Sequence, residues 1–379
     1  MNEALHPALL PQGFRDLLAP DAAAEATAVA HLMAVLASRG YERVKPPLAE
    51  YEENLLSAAG AAMASETFRL MDPISQRMIG LRADMTPQVA RIAATRLKEA
   101  PRPLRLCYAG QVLRIRGSEI RPERQVGQVG AELIGSEDVA ADVEVLAIAA
   151  AGLGALGVAG LSVDLTLPTL VPAVCRACDL DAAAVEAVRA ALDHKDAAKT
   201  ARVGGRAAPL LGRLLEAAGA AATALPVLAA LDLPPAAAAE RRRLEAVVAR
   251  LAAAEPGLAI TIDPVENRGF EYHTGVSFSF FARGVRGELG RGGRYRSGEA
   301  GEPATGFTLY ADTVLQAAPP PALPRRLYVP AASAAAAARL REEGWVTVAA
   351  LGAVADPAAE ARRLACGHWL DGERIVPLN

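Results

Sequence analysis

Gln128, Gly130 and Glu132 alternate along "RQVGQVGAELIG". If this run is a strand, all three point to one face, with a glycine leaving room between an amide and a carboxylate. A glycine inside a strand weakens it and often marks close approach of a ligand. On the preceding run, "CYAGQVLRIR", Val112, Arg114 and Arg116 share a face by the same period. Two further segments add compatible groups. "LRADMT" puts Asp84 and Thr86 beside a helix start, and "ENRGFEYHTG" puts Arg268, Glu271 and Tyr272 at the entry of another strand. Brought together, these groups suit a zwitterionic amino acid. Carboxylates would take its ammonium, arginines its carboxylate, and a Tyr/Glu pair a side chain with N–H donors. A solvated sheet face accounts for the alternation equally well. Convergence is what would favour a site, because burying such charges without a ligand or mutual pairing is costly.

A second constellation sits at 292–315, "GGRYRSGEAGEPATGFTLYADTVL". A double glycine, a Gly/Pro stretch and a strand running into a helix form a common floor for a nucleotide. Helix starts attract phosphate, and an arginine there would clamp it. This helix opens instead with Ala311, Asp312 and Thr313.

The elements that must position these residues follow from spacing and punctuation. A helical pattern over 21–39 stops at Gly40, and another covers 85–98, with Thr86 and Pro87 placed to start it. Strands at 104–115 and 124–134 form an antiparallel hairpin through the charged tip "RGSEIRP". A helix over 137–153 and a strand over 161–167 follow. Residues 170–255 are Ala/Leu/Arg-rich and helical throughout, an insertion. Strand character returns at 258–263, 272–282, 285–290 and 304–310, ahead of the proline linker "QAAPPPALPRR". The expected architecture is α+β. An antiparallel sheet flanked by helices occupies 1–320, and a small C-terminal α/β segment occupies 321–379.

Composition excludes several functions. A net charge of −3 over 379 residues provides no bulk attraction to nucleic acid. Cys175 and Cys178 form a lone C-x-x-C with no second pair and no nearby histidine, which reads as two thiols on a helix near a surface. No metal or cofactor is expected. The N-terminal run has no basic region leading into an apolar one, so no secretory signal is read. Val145 to Val163 carries no charge over a length that could span a membrane, but it is built on Ala and Gly and ends at Asp164. A buried helix turning into "LSVDLTL" fits better, and the expectation is a soluble, cytoplasmic chain with no membrane contact.

Taken in order, the motifs of residues 8–315 resemble the class II aminoacyl-tRNA synthetases, specifically histidyl-tRNA synthetase. "LLPQGFRDLLAPDA" is similar to that family's opening. "GYERVKPPLAE" resembles motif 1, "CYAGQVLRIR…RPERQVGQVGAELIG" motif 2, "RGFEYHTG" the histidine signature, and "GGRYRSGEAGEPATGFTLYADT" motif 3. The resemblance implies a histidine pocket. Asp84, Thr86 and Gln128 would lie near the amino group, Glu132 and Tyr272 near the imidazole, and Arg114 and Arg268 would face the carboxylate. Asp84 stands in place of a glutamate. His273 replaces a tyrosine, either as a ligand contact or as a stacking or capping residue.

The ATP half departs from the pattern. Arg116 stands where motif 2 has a glutamate, and Thr313, beside Asp312, stands where motif 3 has its arginine. A charged hydrogen bond contributes about 1.5–3 kcal/mol, and a donor aimed at developing charge about a hundredfold in rate. Losing one argues against adenylate formation. The tail is shorter than an anticodon-binding domain and lacks aromatic interleaving for stacking on bases, so no tRNA is expected.

A synthetase-like chain with these losses resembles the regulatory subunits of ATP phosphoribosyltransferase. That likeness implies a non-catalytic role in the first step of histidine biosynthesis. The chain would form a synthetase-like dimer, join the short catalytic subunit in a hetero-octamer, activate it, and convey feedback inhibition by L-histidine. An active histidyl-tRNA synthetase and a free-standing histidine- or tRNA-sensing module are the rival readings.

Overall fold

The computed structural model describes residues 8–56, 63–118, 121–266, 272–320, 324–333 and 335–378. The chain divides after Pro319 into a large unit and a small C-terminal one. The large unit is built on a nine-stranded sheet. In chain order its strands are β1 (Glu42–Arg43), β2 (Leu104–Leu113), β3 (Gln125–Ile134), β4 (Leu161–Thr166), β5 (Gly219–Ala220), β6 (Ala259–Asp263), β7 (His273–Ala282), β8 (Gly290–Ser297) and β9 (Glu302–Tyr310). Their spatial order is β1-β2-β3-β9-β8-β7-β4-β6-β5. The β1/β2 and β4/β6 pairs are parallel, and all other neighbours are antiparallel.

Alternation along β3 decides what each face of the sheet does. Val129, Ala131 and Leu133 face the main core, where they meet Leu32, Met33 and Leu36 of the helix Asp21–Ser38 and Val145, Leu146 and Leu153 of the helix Val139–Ala155. Val126 and Ile134 face a second, smaller core with Met85, Val89, Leu106 and Tyr108. Gln128, Gly130 and Glu132 share that second face. One side of the sheet is therefore sealed by helices, and the other carries the smaller core together with the polar groups.

The uncharged run from Val145 is a buried helix, started by the Asp138 carboxylate, which accepts from Ala140 N at 2.8 Å. Among the described residues no helix is long and apolar enough to cross a membrane. From Leu170 to Ala254 the insertion consists of helices joined by short connections, with one strand, β5, which adds a two-residue edge to β6. Val174, Leu244, Val247 and Leu251 of the insertion join the main core, and one buried carboxylate adds a polar tie. Asp142, only 2% exposed, accepts from Arg243 Nη2 of the insertion at 2.7 Å and from Arg294 Nε of β8 at 2.9 Å. Cys175 is buried in the main core, so that thiol is not near a surface as expected.

The expected strand at 285–290 is not formed. Strand β8 begins at Gly290 and takes in the double glycine that looked like part of a loop. A Cβ on Gly292 would lie 2.1 Å from the Gly306 carbonyl and 2.7 Å from Phe278. Close approach of neighbouring strands makes this segment a strand, where propensity alone predicts none.

The C-terminal unit carries a four-stranded sheet in the order Val346–Ala349, Arg326–Val329, His368–Asp371, Arg374–Pro377. Its core joins Leu327, Val329, Leu340, Trp345 and Leu370. Arg325 stacks over the Trp345 ring at 3.8 Å, and that ring also meets His368 edge-on.

Candidate amino-acid pocket and its cleft

Glu132 is 1% exposed and lies on β3 directly opposite Gly306 of β9. A Cβ at Gly306 would fall 1.9 Å from Glu132 Oε2, so this glycine is the space the carboxylate occupies. Tyr295 Oη donates to Oε2 at 2.8 Å and Tyr108 Oη to Oε1 at 3.2 Å. Burial pushes the Glu132 carboxyl up to about 8, against the opposing hydrogen bonds of Tyr295, Thr86 and Tyr108. The nearby Asp84 charge adds to the rise.

The room beside Gly130 is filled by the protein. Tyr108 stands opposite it on β2, and a Cβ at Gly130 would meet the phenol at 2.4 Å. The gap read as space for a ligand thus seats Tyr108, whose hydroxyl also lies 2.8 Å from Thr308 Oγ1 and 3.1 Å from Thr86 Oγ1.

Asp84 and Gln128 orient one another. Gln128 Oε1 accepts from Met85 N at 3.1 Å, which directs its Nε2 to Asp84 Oδ2 at 2.9 Å. Asp84 Oδ1 accepts from Thr86 N at 2.8 Å. The helix Thr86–Thr95 is therefore started by the Asp84 carboxylate. The Thr86 hydroxyl, expected to help start it, turns to Tyr108 instead.

Asp84, Thr86, Glu132, Tyr272 and His273 line one recess. Asp84, Thr86, Arg114 and Tyr272 also line the cleft outside it, of about 590 Å³. Gln128 reaches this group through Asp84. The Tyr272 phenol is pushed upward by burial and by the charges of Asp84 and Glu132. His273 is buried against Gly293, where a Cβ would lie 2.6 Å from its Cδ2, and its ring centroid is 4.2 Å from that of Tyr272. Arg114 lies one residue beyond β2, with Nε 3.6 Å from Glu66 Oε2. The strand ends at Leu113, short of the expected 115, so Arg114 and Arg116 do not continue its alternation with Val112, and Arg116 is exposed. Arg268 and Glu271 lie outside the described residues.

At the far end, Thr313 Oγ1 donates to the Glu288 carbonyl at 2.9 Å and is buried. The sequence left this end without a cation, and the structure corrects that expectation. Arg121, from the tip of the β2–β3 hairpin, stacks 3.8 Å over the Tyr310 ring, with Nε 3.8 Å from Asp312 Oδ2.

Residues 13–314 match the family model for histidyl-tRNA synthetase. Two relatives match over nearly the whole chain. The ATP phosphoribosyltransferase regulatory subunit of Rhodospirillum centenum is 61% identical over 97% of this chain and 96% of its own. That of Paramagnetospirillum magneticum is 59% identical over 99% of each. The chain belongs to this family. A crystal structure from Bacillus halodurans, described as an ATP phosphoribosyltransferase regulatory subunit/histidyl-tRNA synthetase, superposes with a TM-score of 0.81. It covers 93% of this chain and 96% of its own at 24% identity, a likeness of fold.

In this member of the regulatory-subunit family, four residues around Glu132 went unread in the sequence: Tyr108, Tyr295, Gly306 and Thr308. Tyr108 was within reach, since the period that pairs Val112 with Arg114 also runs back through Gly110 to Tyr108. Tyr295 and Gly306 were not, because their place depends on β9 pairing with β3 across more than a hundred and fifty residues.

Proposed function

We propose that this chain is a non-catalytic regulatory subunit that senses L-histidine in the Glu132 recess. It activates a short-form ATP phosphoribosyltransferase catalytic subunit and conveys feedback inhibition to it. The chain pairs as a synthetase-like dimer and joins its partner in a hetero-octamer in the cytoplasm, without tRNA or a cofactor.

The observation that carries this reading is the floor of the recess. A fully buried carboxylate is held by two phenols, and a second carboxylate, Asp84, shares the same walls. Two acids so close to one small recess invite a ligand with N–H donors at both ends. Glu132 takes an imidazole N–H, Asp84 the ammonium, and Arg114 with Arg268 the carboxylate. His273 fixes the Tyr272 ring by stacking. Thr313, buried and bonded to backbone, leaves the phosphate end without the motif-3 grip. The Trp345 ring of the C-terminal unit is buried in that unit's own core and meets His368 edge-on.

Regulation requires that histidine bind one state of the complex better than another, with a coupling of about 1–3 kcal/mol. In the reconstituted complex, Glu132→Gln or Arg268→Ala blunts inhibition by histidine while assembly, followed by sedimentation, stays intact. Unchanged inhibition in both variants contradicts the assignment of this pocket as the sensor.

A further inference from the structure

The cleft outside the recess holds three arginines among its described walls, enough cations for a polyphosphate, and each faces a carboxylate of the same chain. Arg291 Nε donates to Glu288 Oε1 at 2.9 Å. Arg114 Nε is 3.6 Å from Glu66 Oε2, and Arg121 Nε is 3.8 Å from Asp312 Oδ2. The Arg121 pair is the most enclosed, its side chains 12% and 10% exposed. Arg121 is held on two further sides, stacked on Tyr310 at 3.8 Å and donating Nη2 to the Glu288 carbonyl at 3.0 Å. Asp312 is held less well, since its buried Oδ1 has no hydrogen-bond partner among the described residues. A buried carboxylate oxygen without a donor lowers stability, so hydrogen bonding of Asp312 does not account for its position.

We propose that Asp312 is a specificity-determining residue: it cancels the charge of Arg121 and holds it flat on Tyr310, so that the cleft rejects nucleoside triphosphates and other polyphosphates. The nucleotide end has not simply lost its cation. It carries one that is occupied from within. An incoming phosphate would meet an arginine already matched in charge and, behind it, a fixed negative charge in a poorly solvated place, where repulsion is strong. Exclusion of this kind keeps a histidine-responsive cleft from answering to the cell's ATP. The inference rests on the regulatory reading only for that consequence; the exclusion itself stands on the Arg121–Asp312 geometry.

The test is calorimetry of the full chain with ATP and with inorganic tripolyphosphate, both without magnesium, and with L-histidine alongside. The wild-type chain shows no saturable binding of either phosphate probe at millimolar concentration. Asp312→Asn, which keeps the side-chain shape, binds both at least tenfold more tightly, and the gain weakens with added salt. Adding Arg121→Ala to that variant removes the gain. Asp312→Ser carries the same expectation should the asparagine variant fail to fold. A folded Asp312 variant that binds histidine normally and gains no affinity for either probe overturns the proposal, as does a wild-type chain that binds them as tightly as the variant. Histidine binding by the wild-type chain reports separately on the regulatory reading, while the phosphate gain decides this one.

Discussion

At the Glu132 end of the cleft, two carboxylates are held by phenols, an amide and backbone N–H groups, and they face a recess. At the Tyr310 end, Arg121 is matched with Asp312 of the same chain and enclosed with it. Both ends lie on the same sheet and share Asp84, Thr86, Tyr272, Arg291 and Tyr310 as walls. The difference teaches where a ligand's charge belongs. Acids supported by neutral donors leave room for an incoming cation, whereas an arginine already neutralised from within does not call for an anion.

The largest break in this contrast comes from one methyl group. Gly306→Ala places a Cβ where Glu132 Oε2 now lies, 1.9 Å away. Calorimetry should show histidine binding weakened more than a hundredfold. Thermal melts should show a loss of about 1–3 kcal/mol from overpacking. The Tyr310 end, away from this contact, keeps its phosphate behaviour.

A smaller effect separates the ends by pH. Burial raises the Glu132 carboxyl from the ordinary 4.5 to about 8, so the folded chain holds a proton that the unfolded chain has released. The stability tied to this proton is fully present below about 4.5 and is lost as pH rises toward 8. Its steepest slope is about 1.4 kcal/mol per pH unit. Glu132→Gln should flatten the fall in melting temperature between pH 5 and pH 8. An unchanged slope would mean that another group sets it. The smallest effect is expected from Tyr272→Phe, which keeps the ring against His273 at 4.2 Å and removes only a hydroxyl. Histidine affinity should fall by about tenfold or less, consistent with about 1 kcal/mol for one neutral hydrogen bond.

Legibility in the sequence followed the range of the interactions. The hairpin of β2 and β3 was readable from alternation, and the same period placed Gln128, Gly130 and Glu132 on one face. What stands opposite each of them was not readable. Alternation states which way Gly130 faces but not that Tyr108 fills its space, and nothing local to Glu132 announces Gly306. Strand β8 was misplaced for the same reason, because its glycines are extended by tight neighbours. The resemblance put Thr313 where motif 3 has its arginine, while the cation beside Asp312 is Arg121, almost two hundred residues earlier. Local spacing carried the faces, and long-range register carried the partners.

Calorimetric titration of the purified wild-type chain with L-histidine, run beside an identical titration with ATP, tests the central claim most directly. Saturable heat with histidine at one site per chain and none with ATP is the predicted result. Heat with ATP, accompanied by histidine-dependent pyrophosphate exchange, would contradict it.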